Sequence, residues 1–260
     1  MKAVNAADKD VATAERLGHS IVGISDAAYP TLLSRVNDRP VILFVRGNPR
    51  QFSEKAVAVI GTREPSEHGR ITAERTTNYF ATNGWQVVSG LAIGVDTFAH
   101  MATLNAHGST VAVLAHGLDT VYPKQNQKLA ETIVENGGLL VSEYPYETPG
   151  FPAHFVERDR IQAALARGVV MVQSDESGGS WHASRAALRY HRYLIIPKPT
   201  AADIKSNHLK AKGNQMIVKA SVIERASFLK CSQQDLDRLI VLESRDDYSA
   251  VEQKLLLPVC

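Results

Sequence analysis

The sequence is poor in the features that mark secreted, membrane-spanning or metal-dependent chains. It has two cysteines, Cys231 and Cys260, too few for a disulfide framework or a structural zinc site. Cys260 is the last residue, so it does not meet the prenylation pattern either, which places its cysteine farther from the end. No apolar run reaches the roughly 18–20 residues that cross a bilayer, so no membrane-spanning helix is expected. The opening MKAVNAADKDVATAERLG contains no apolar stretch of the secretory type, and no leader is expected in it. The 9 histidines fall into no ligand spacing with cysteines or acids, and no metal or other cofactor is expected. An excess of one charge is also lacking: 29 Lys and Arg stand against 27 Asp and Glu, a net charge of +2. That balance permits nucleic-acid binding without requiring it. The expected compartment is the cytosol.

What is present is ordinary for a globular chain: 44% hydrophobic and 22% charged residues over 260 positions, enough for one good core with small appendages. From residue 56 onward, short β-branched runs alternate with helical spacing. Buried parallel strands are expected over 57–60, 86–88, 110–114, 139–142, 169–172 and 193–196, and helices over 68–82, 95–106, 126–136, 155–167 and 180–190. This order implies an α/β fold with a doubly wound, mostly parallel, Rossmann-like sheet. A short lead-in over 1–54 precedes the core at 55–230; within it, 26–48 reads as a short helix and a strand ending in a Gly-Asn turn, packed on the main domain. The polar stretch 201–212 reads as a loop, and 231–260 as a charged tail, helical or partly disordered.

Charge distribution says more than the total. Between Glu157 and Lys219 the bases Arg158, Arg160, Arg167, Arg185, Arg189, Arg192, Lys198, Lys205, Lys210 and Lys212 outnumber the acids. Such a stretch suits a local phosphate-holding surface, although a solvated, salt-bridged face is the more ordinary outcome.

In an open parallel sheet, ligands bind beyond the carboxyl ends of the strands, and four loops of small residues fall at such ends. Gly61-Thr62-Arg63 joins a strand to a helix; glycine permits close approach of the backbone to a phosphate and Arg63 offers a planar donor fork. The same glycine equally serves a tight turn. Ser89-Gly90, Gly94 and Asp96 form a second candidate rim, with Asp96 alternatively an acid of the first helical turn. His100 follows one turn later, within reach of a hydrogen bond to Asp96, and a structural pair is the more ordinary reading. In the third loop, Lys124 and Asn126 suit phosphate or base contacts and Tyr122 a stacked base, while a rigid Tyr-Pro turn and a helix cap explain them as well. The fourth, Ser177-Gly178-Gly179-Ser180, opens a helix in an anion-binding arrangement. Before it, Arg158 and Arg160 lie on different helix faces, so that one faces a ligand and the other pairs with an acid. Trp181 either stacks on a base or fills the core, and core packing is the more ordinary role.

Taken in order, these segments resemble the DprA/Smf family of DNA-processing proteins, within the wider LOG-like Rossmann superfamily. The resemblance runs from about Tyr29 to Leu229. YPTLLSRVNDRPVILFVRGN resembles the family's lead-in, AVIGTREPSEHG its GSR…YG signature, and VVSGLAIGVDTFAH its SGLA-x-G-x-D-x-x-AH. TVAVLAHGLDTVYPKQN resembles GLD-x-x-YP-x-x-N, and LLVSEYPYETP resembles LSEYP-x-x-x-P. Each segment alone is weak; the ordered set is specific.

The resemblance implies a Rossmann-like core that binds single-stranded DNA without catalysis, commonly as a homodimer, and hands it to a RecA-type recombinase. Its pocket would include Gly61, Thr62, Arg63, Ser89, Gly90, Gly94, Asp96, Lys124 and Asn126. The chain departs from the family in places. FVERDR (Phe155–Arg160) stands where F-P-R-R-N-R is usual, so Glu157 and Asp159 replace a base and an amide. SGGSWHA stands for SGSL-x-TA, and the run ending Pro197-Lys198 for V-x-P-G. A divergent member is expected, shortened by the winged-helix module and most of the N-terminal helical domain. Some relatives accompany toxins in anti-phage systems, which makes an antitoxin or regulatory subunit the alternative. A LOG-like nucleotide phosphoribohydrolase is the enzymatic alternative. Its PGG-x-GT-x-x-E loop has no acid in register here, which leaves Asp96 and Glu143 as the acids to examine.

Overall fold

The computed structural model describes residues 2–258, and Cys260 lies outside them. Nine strands form one sheet in the order β1-β2-β6-β5-β4-β3-β7-β8-β9. Its centre comprises β3 (Ala56–Ile60), β4 (Gln86–Ser89), β5 (Thr110–Leu114), β6 (Leu139–Ser142), β7 (Gly168–Met171) and β8 (Tyr193–Pro197), all paired in parallel. Every residue of β3 to β7 is buried, as expected of strands covered on both faces.

The period of two in β3 feeds two cores. Ala56, Ala58 and Ile60 join the cluster under α2 (Thr31–Ser34), α6 (Pro152–Ala164) and α7 (Trp181–Arg189), whereas Val57 and Val59 join the cluster under α3 (Glu67–Thr82) and α4 (Val95–Asn105). A fully buried Leu or Val contributes about 1.5–3 kcal/mol, so residues such as Leu32, Leu33, Val87 and Leu188 hold the layers together. Helix starts follow local chemistry: the Ser66 hydroxyl accepts the Gly69 N–H at 3.0 Å at the head of α3, and Pro152 occupies the first turn of α6.

The expected strands and helices of the core are present, with ends displaced by a few residues. Three regions differ from expectation. The lead-in has its expected short helix and strand, α2 and β2 (Ile42–Arg46), but also α1 (Lys2–Leu17) and β1 (Ser20–Gly23), and it extends the sheet, β2 pairing antiparallel with β6. Segment 201–212, read as a loop, contains α8 (Ala201–Lys205) and a 3₁₀ turn before α9 (Lys212–Lys219) and α10 (Val222–Leu229). The tail is neither purely helical nor loose. β9 (Leu239–Leu242) pairs in parallel with β8, and α11 (Tyr248–Leu256) packs on α3. There Tyr248 meets Thr76 at 2.8 Å, while Tyr79 and Trp85 both donate to Glu252. α5 (Gln127–Glu135) completes the fold beside β6.

Chain order reverses at β3. β3 to β6 run outward on one side, and β7 to β9 run outward on the other. The crevice beyond the carboxyl ends of β3 and β7 is therefore the topological switch point, where such sheets hold ligands.

Candidate functional site

A cleft of about 450 Å³ occupies this switch point. One wall is the β3–α3 loop, which contributes Gly61, Thr62, Arg63 and Glu64; the opposite wall is the β7–α7 loop, with Ser174, Asp175, Gly178, Gly179 and Ser180. The floor comes from α6, which presents Phe155, Arg158, Asp159 and Gln162 at i, i+3, i+4 and i+7, the spacing of one helical face.

The first loop is clamped at both sides. Thr62 N–H donates to Gln173 O at 2.8 Å, and Thr62 O accepts from Val95 N–H at 3.2 Å. A Cβ at Gly61 would stand 2.6 Å from Val95 Cγ2. Gly94 has φ +81°, and a Cβ there would meet Thr62 O at 2.5 Å, so glycine alone closes this corner. Arg63 projects from the clamped loop, exposed, with its guanidinium 5.6 Å from the Phe155 ring and no ion pair among the described residues.

Beneath the cleft, Asp96 is buried and its Oδ2 accepts the N–H of Gly90 at 3.1 Å and of Ala92 at 3.3 Å. Burial raises its pKa, and Arg158 opposes that rise. Ser89 Oγ donates to Val59 O at 2.7 Å; Ser89, Gly90 and Gly94 support the cleft without lining it. His100 does not pair with Asp96. Its Nδ1 meets Thr110 Oγ1 at 2.7 Å, and burial drives its pKa down to about 3, so it is a neutral core imidazole.

The arginines of α6 separate as their opposite helix faces require. Arg158 is buried; its Nη1 donates to Gly90 O at 2.8 Å and to Val113 O, and its Nε to Asp159 Oδ1 at 3.2 Å. Arg160 turns away from the cleft into a two-pronged bond with Glu143, at 3.0 and 2.7 Å, which leaves neither as a free ligand group. Asp159 lines the cleft with only one oxygen satisfied. Its Oδ1 accepts from Arg158 and, at 3.4 Å, from Gln162 Nε2, while Oδ2 accepts from none of the described residues. Burial, reinforced by the Asp96 charge and opposed by Arg158, pushes its pKa up to about 7. Gln162 is 2% exposed, and its Oε1 has no hydrogen-bond partner among the described residues.

Other expected site residues also fall elsewhere. Asn126 is buried and uses its amide to tie Leu91 O and Thr97 Oγ1, at 2.8 and 2.9 Å, and Lys124 stands exposed outside the cleft. Ser177 likewise stays off the lining and turns to Asp175 Oδ1, whereas Gly178, Gly179 and Ser180 line the wall. Trp181 fills the core, its Nε1 donating to Asp175 O at 2.7 Å. Tyr122 is exposed, 5.8 Å from the Phe155 ring.

The basic run does not form a phosphate-holding face. Arg192 is 1% exposed and donates to Leu32 O, Arg185 donates to Phe228 O, Arg189 pairs with Asp38, and Lys198 pairs with Glu243. Lys210 reaches the cleft, but Asp175 holds it at 2.9 Å with Glu64 at 3.7 Å. The cleft therefore combines Arg63, Arg158 and Lys210 with Glu64, Asp96, Asp159 and Asp175. Phe155, Gln162, Asp175 and Lys210 were not singled out as site residues from the sequence. The helical spacing from Arg158 to Gln162 carried a signal for one of them; Lys210 arrives through tertiary packing alone.

Comparison with known proteins places this geometry in context. The family model for DNA recombination-mediator protein A matches residues 20–232. The DNA processing protein DprA of Streptococcus pneumoniae is 43% identical over 198 residues, covering 75% of this chain and 69% of that protein. The Bacillus subtilis DprA is 35% identical over 179 residues, 68% of this chain and 60% of its own length. Other curated relatives, such as the Escherichia coli protein Smf, are matched over about half their length, 50% in that case. A solved structure of Helicobacter pylori DNA processing protein A, described for its single-stranded-DNA binding mode, aligns with a TM-score of 0.67 and 25% identity over 82% of this chain and 94% of that one. The sheet order, the ordered loop motifs and these matches agree, and the chain belongs to the DNA recombination-mediator protein A family, the DprA/Smf family of DNA-processing proteins.

Proposed function

We propose that this chain binds single-stranded DNA at the switch-point cleft and catalyses no reaction on it. The observation that carries the reading is Arg63: an exposed guanidinium in no ion pair among the described residues, set beside the Phe155 ring at the mouth of a nucleotide-sized cleft. A cation for the backbone phosphate next to a ring for a base is the minimal unit of single-strand recognition, each stacked base contributing roughly 1–3 kcal/mol. The Helicobacter pylori relative, described as a single-stranded-DNA binder, supports it. The contacting set would be Thr62, Arg63, Phe155 and the Gly178-Gly179-Ser180 wall, with Gly61, Ser89, Gly90, Gly94, Asp96 and Asn126 holding its shape. Delivery of the strand to a RecA-type recombinase, by a homodimer, is the biological role that the family suggests.

The test is a salt titration of fluorescence anisotropy with labelled single-stranded and duplex DNA, comparing wild type, Arg63→Ala and Lys124→Ala. Single-strand preference that weakens with salt, and that Arg63→Ala removes, is the expected result. No binding at low salt overturns the proposal.

A second reading, cleavage of a nucleoside monophosphate, has one observation in its favour: Asp159, with a pKa near 7, suits a general acid in that cleft. Incubation with nucleoside monophosphates and chromatography for free base tests it; an absence of release removes it.

A further inference from the structure

The rim and the floor of the cleft ask for opposite chemistry. At the rim stand Arg63 and the glycine-rich wall, which suit an anion. On the floor, Asp159 Oδ2 and Gln162 Oε1 are both acceptors, and neither accepts a hydrogen bond from a described residue. They are neighbours, because Gln162 Nε2 donates to Asp159 Oδ1 at 3.4 Å. A phosphate is repelled there, and the Arg158 guanidinium at 3.2 Å from Asp159 makes a second cation unwelcome. Neutral N–H donors satisfy both atoms. Gln162 is 2% exposed, so its bare oxygen carries the desolvation cost of an unmade hydrogen bond until a ligand supplies one.

We propose that Asp159 and Gln162 are specificity-determining residues that receive the two adjacent N–H donors of a guanine base whose phosphate lies at the rim. Among the DNA bases, guanine alone offers a ring N–H and an exocyclic amine side by side on its Watson–Crick edge; thymine offers one N–H, and adenine and cytosine each offer an amine beside an acceptor. Phe155 lies on the same face of α6, four residues before Asp159 and seven before Gln162, and supplies a ring against which the base stacks. In a duplex that edge is paired, so readout here requires an unpaired strand or a free nucleotide. The inference rests on the single-strand reading for the strand source. The shared chemistry is guanine with a phosphate, and the two sources are separated by experiment.

The test measures the affinity of the full chain, at about pH 8 so that Asp159 is ionised, for oligonucleotides of about 20 residues that are all thymine, all thymine but one central guanine, or all thymine but one central hypoxanthine, which lacks the exocyclic amine. Deoxyguanosine monophosphate is titrated separately by calorimetry. The expected order is guanine over hypoxanthine over thymine, with guanine at least about fivefold tighter than thymine. Asp159→Asn should erase the order with thymine-strand binding at least as tight as in the wild type, and Gln162→Met should shrink the guanine-to-hypoxanthine step. Equal affinity for all three strands overturns the base reading and leaves single-strand binding standing. If no strand binds, the single-strand reading fails; deoxyguanosine monophosphate binding that Asp159→Asn abolishes then supports the guanine site with a free nucleotide as its source, and no binding overturns both.

Discussion

At the amino end of β7 an arginine is turned onto main-chain oxygens, whereas at the carboxyl ends several charged and polar groups are left with open valences. Arg167, just before β7, donates to the carbonyls of Glu54, Leu255 and Leu257. At the other end Arg63 and Asp159 Oδ2 stand at the cleft, and Gln162 Oε1 lies buried in its floor, each without a hydrogen-bonding partner among the described residues. Residue type does not separate the two sets. What separates them is whether the fold satisfies the group or leaves that to a ligand, and unsatisfied buried groups are tolerated where function requires them.

That contrast can be broken from either end. The largest effect is expected for Arg167→Ala, which removes charge-assisted bonds tying β7 to the Glu54 loop and the end of α11. Urea denaturation should show a loss of about 2–3 kcal/mol, while the folded fraction keeps its affinity for single-stranded DNA. Arg63→Ala should do the reverse: affinity falls at least about tenfold with an unchanged unfolding midpoint. If both variants lose stability and neither loses affinity specifically, the division between the two ends is wrong.

A smaller and pH-dependent effect is expected at Asp159. Its carboxyl sits at about 7 in the folded protein against an ordinary 3.8, so between those values the folded state holds a proton that the unfolded chain has released. Stability contributed by this group is therefore complete below 3.8 and is lost as pH rises toward 7. Asp159→Asn should flatten that slope in denaturation curves measured across the window. The groups facing Asp159 are Arg158 on its own helix, Asp96 from α4 and Arg63 from the β3–α3 loop. As it ionises the cleft gains a negative charge, so thymine-strand affinity should fall above pH 7 in the wild type while guanine preference rises; in Asp159→Asn both should be flat. The smallest effect belongs to Lys124→Ala, since Lys124 stands outside the cleft: less than about twofold in anisotropy, and only through long-range attraction.

Much of this was legible from residue order. The alternation of β-branched runs and helical spacing located the six central strands, because a strand buried on both faces must be apolar along its length. The four loops were likewise placed at the carboxyl ends. The departures from expectation share a cause. Asn126 and Lys124 look alike as polar residues after Tyr122-Pro123, yet one is buried against Leu91 O and the other is free in solvent. Nothing local distinguishes them. His100 was close enough to Asp96 along the helix to pair with it, and it turned instead to Thr110, from a different strand.

Composition, hydrophobic period and the ordered glycine-rich motifs by themselves determined the α/β class, the central strands and the family resemblance, since each depends on spacing along the chain. Only the tertiary structure decided that residues 239–242 join the sheet beside β8, that most of the basic run is used internally, and that Asp159 and Gln162 lie together with open acceptors. Those outcomes depend on which distant carbonyls, carboxylates and helix faces come to lie within about 3 Å, a distance that sequence separation does not encode.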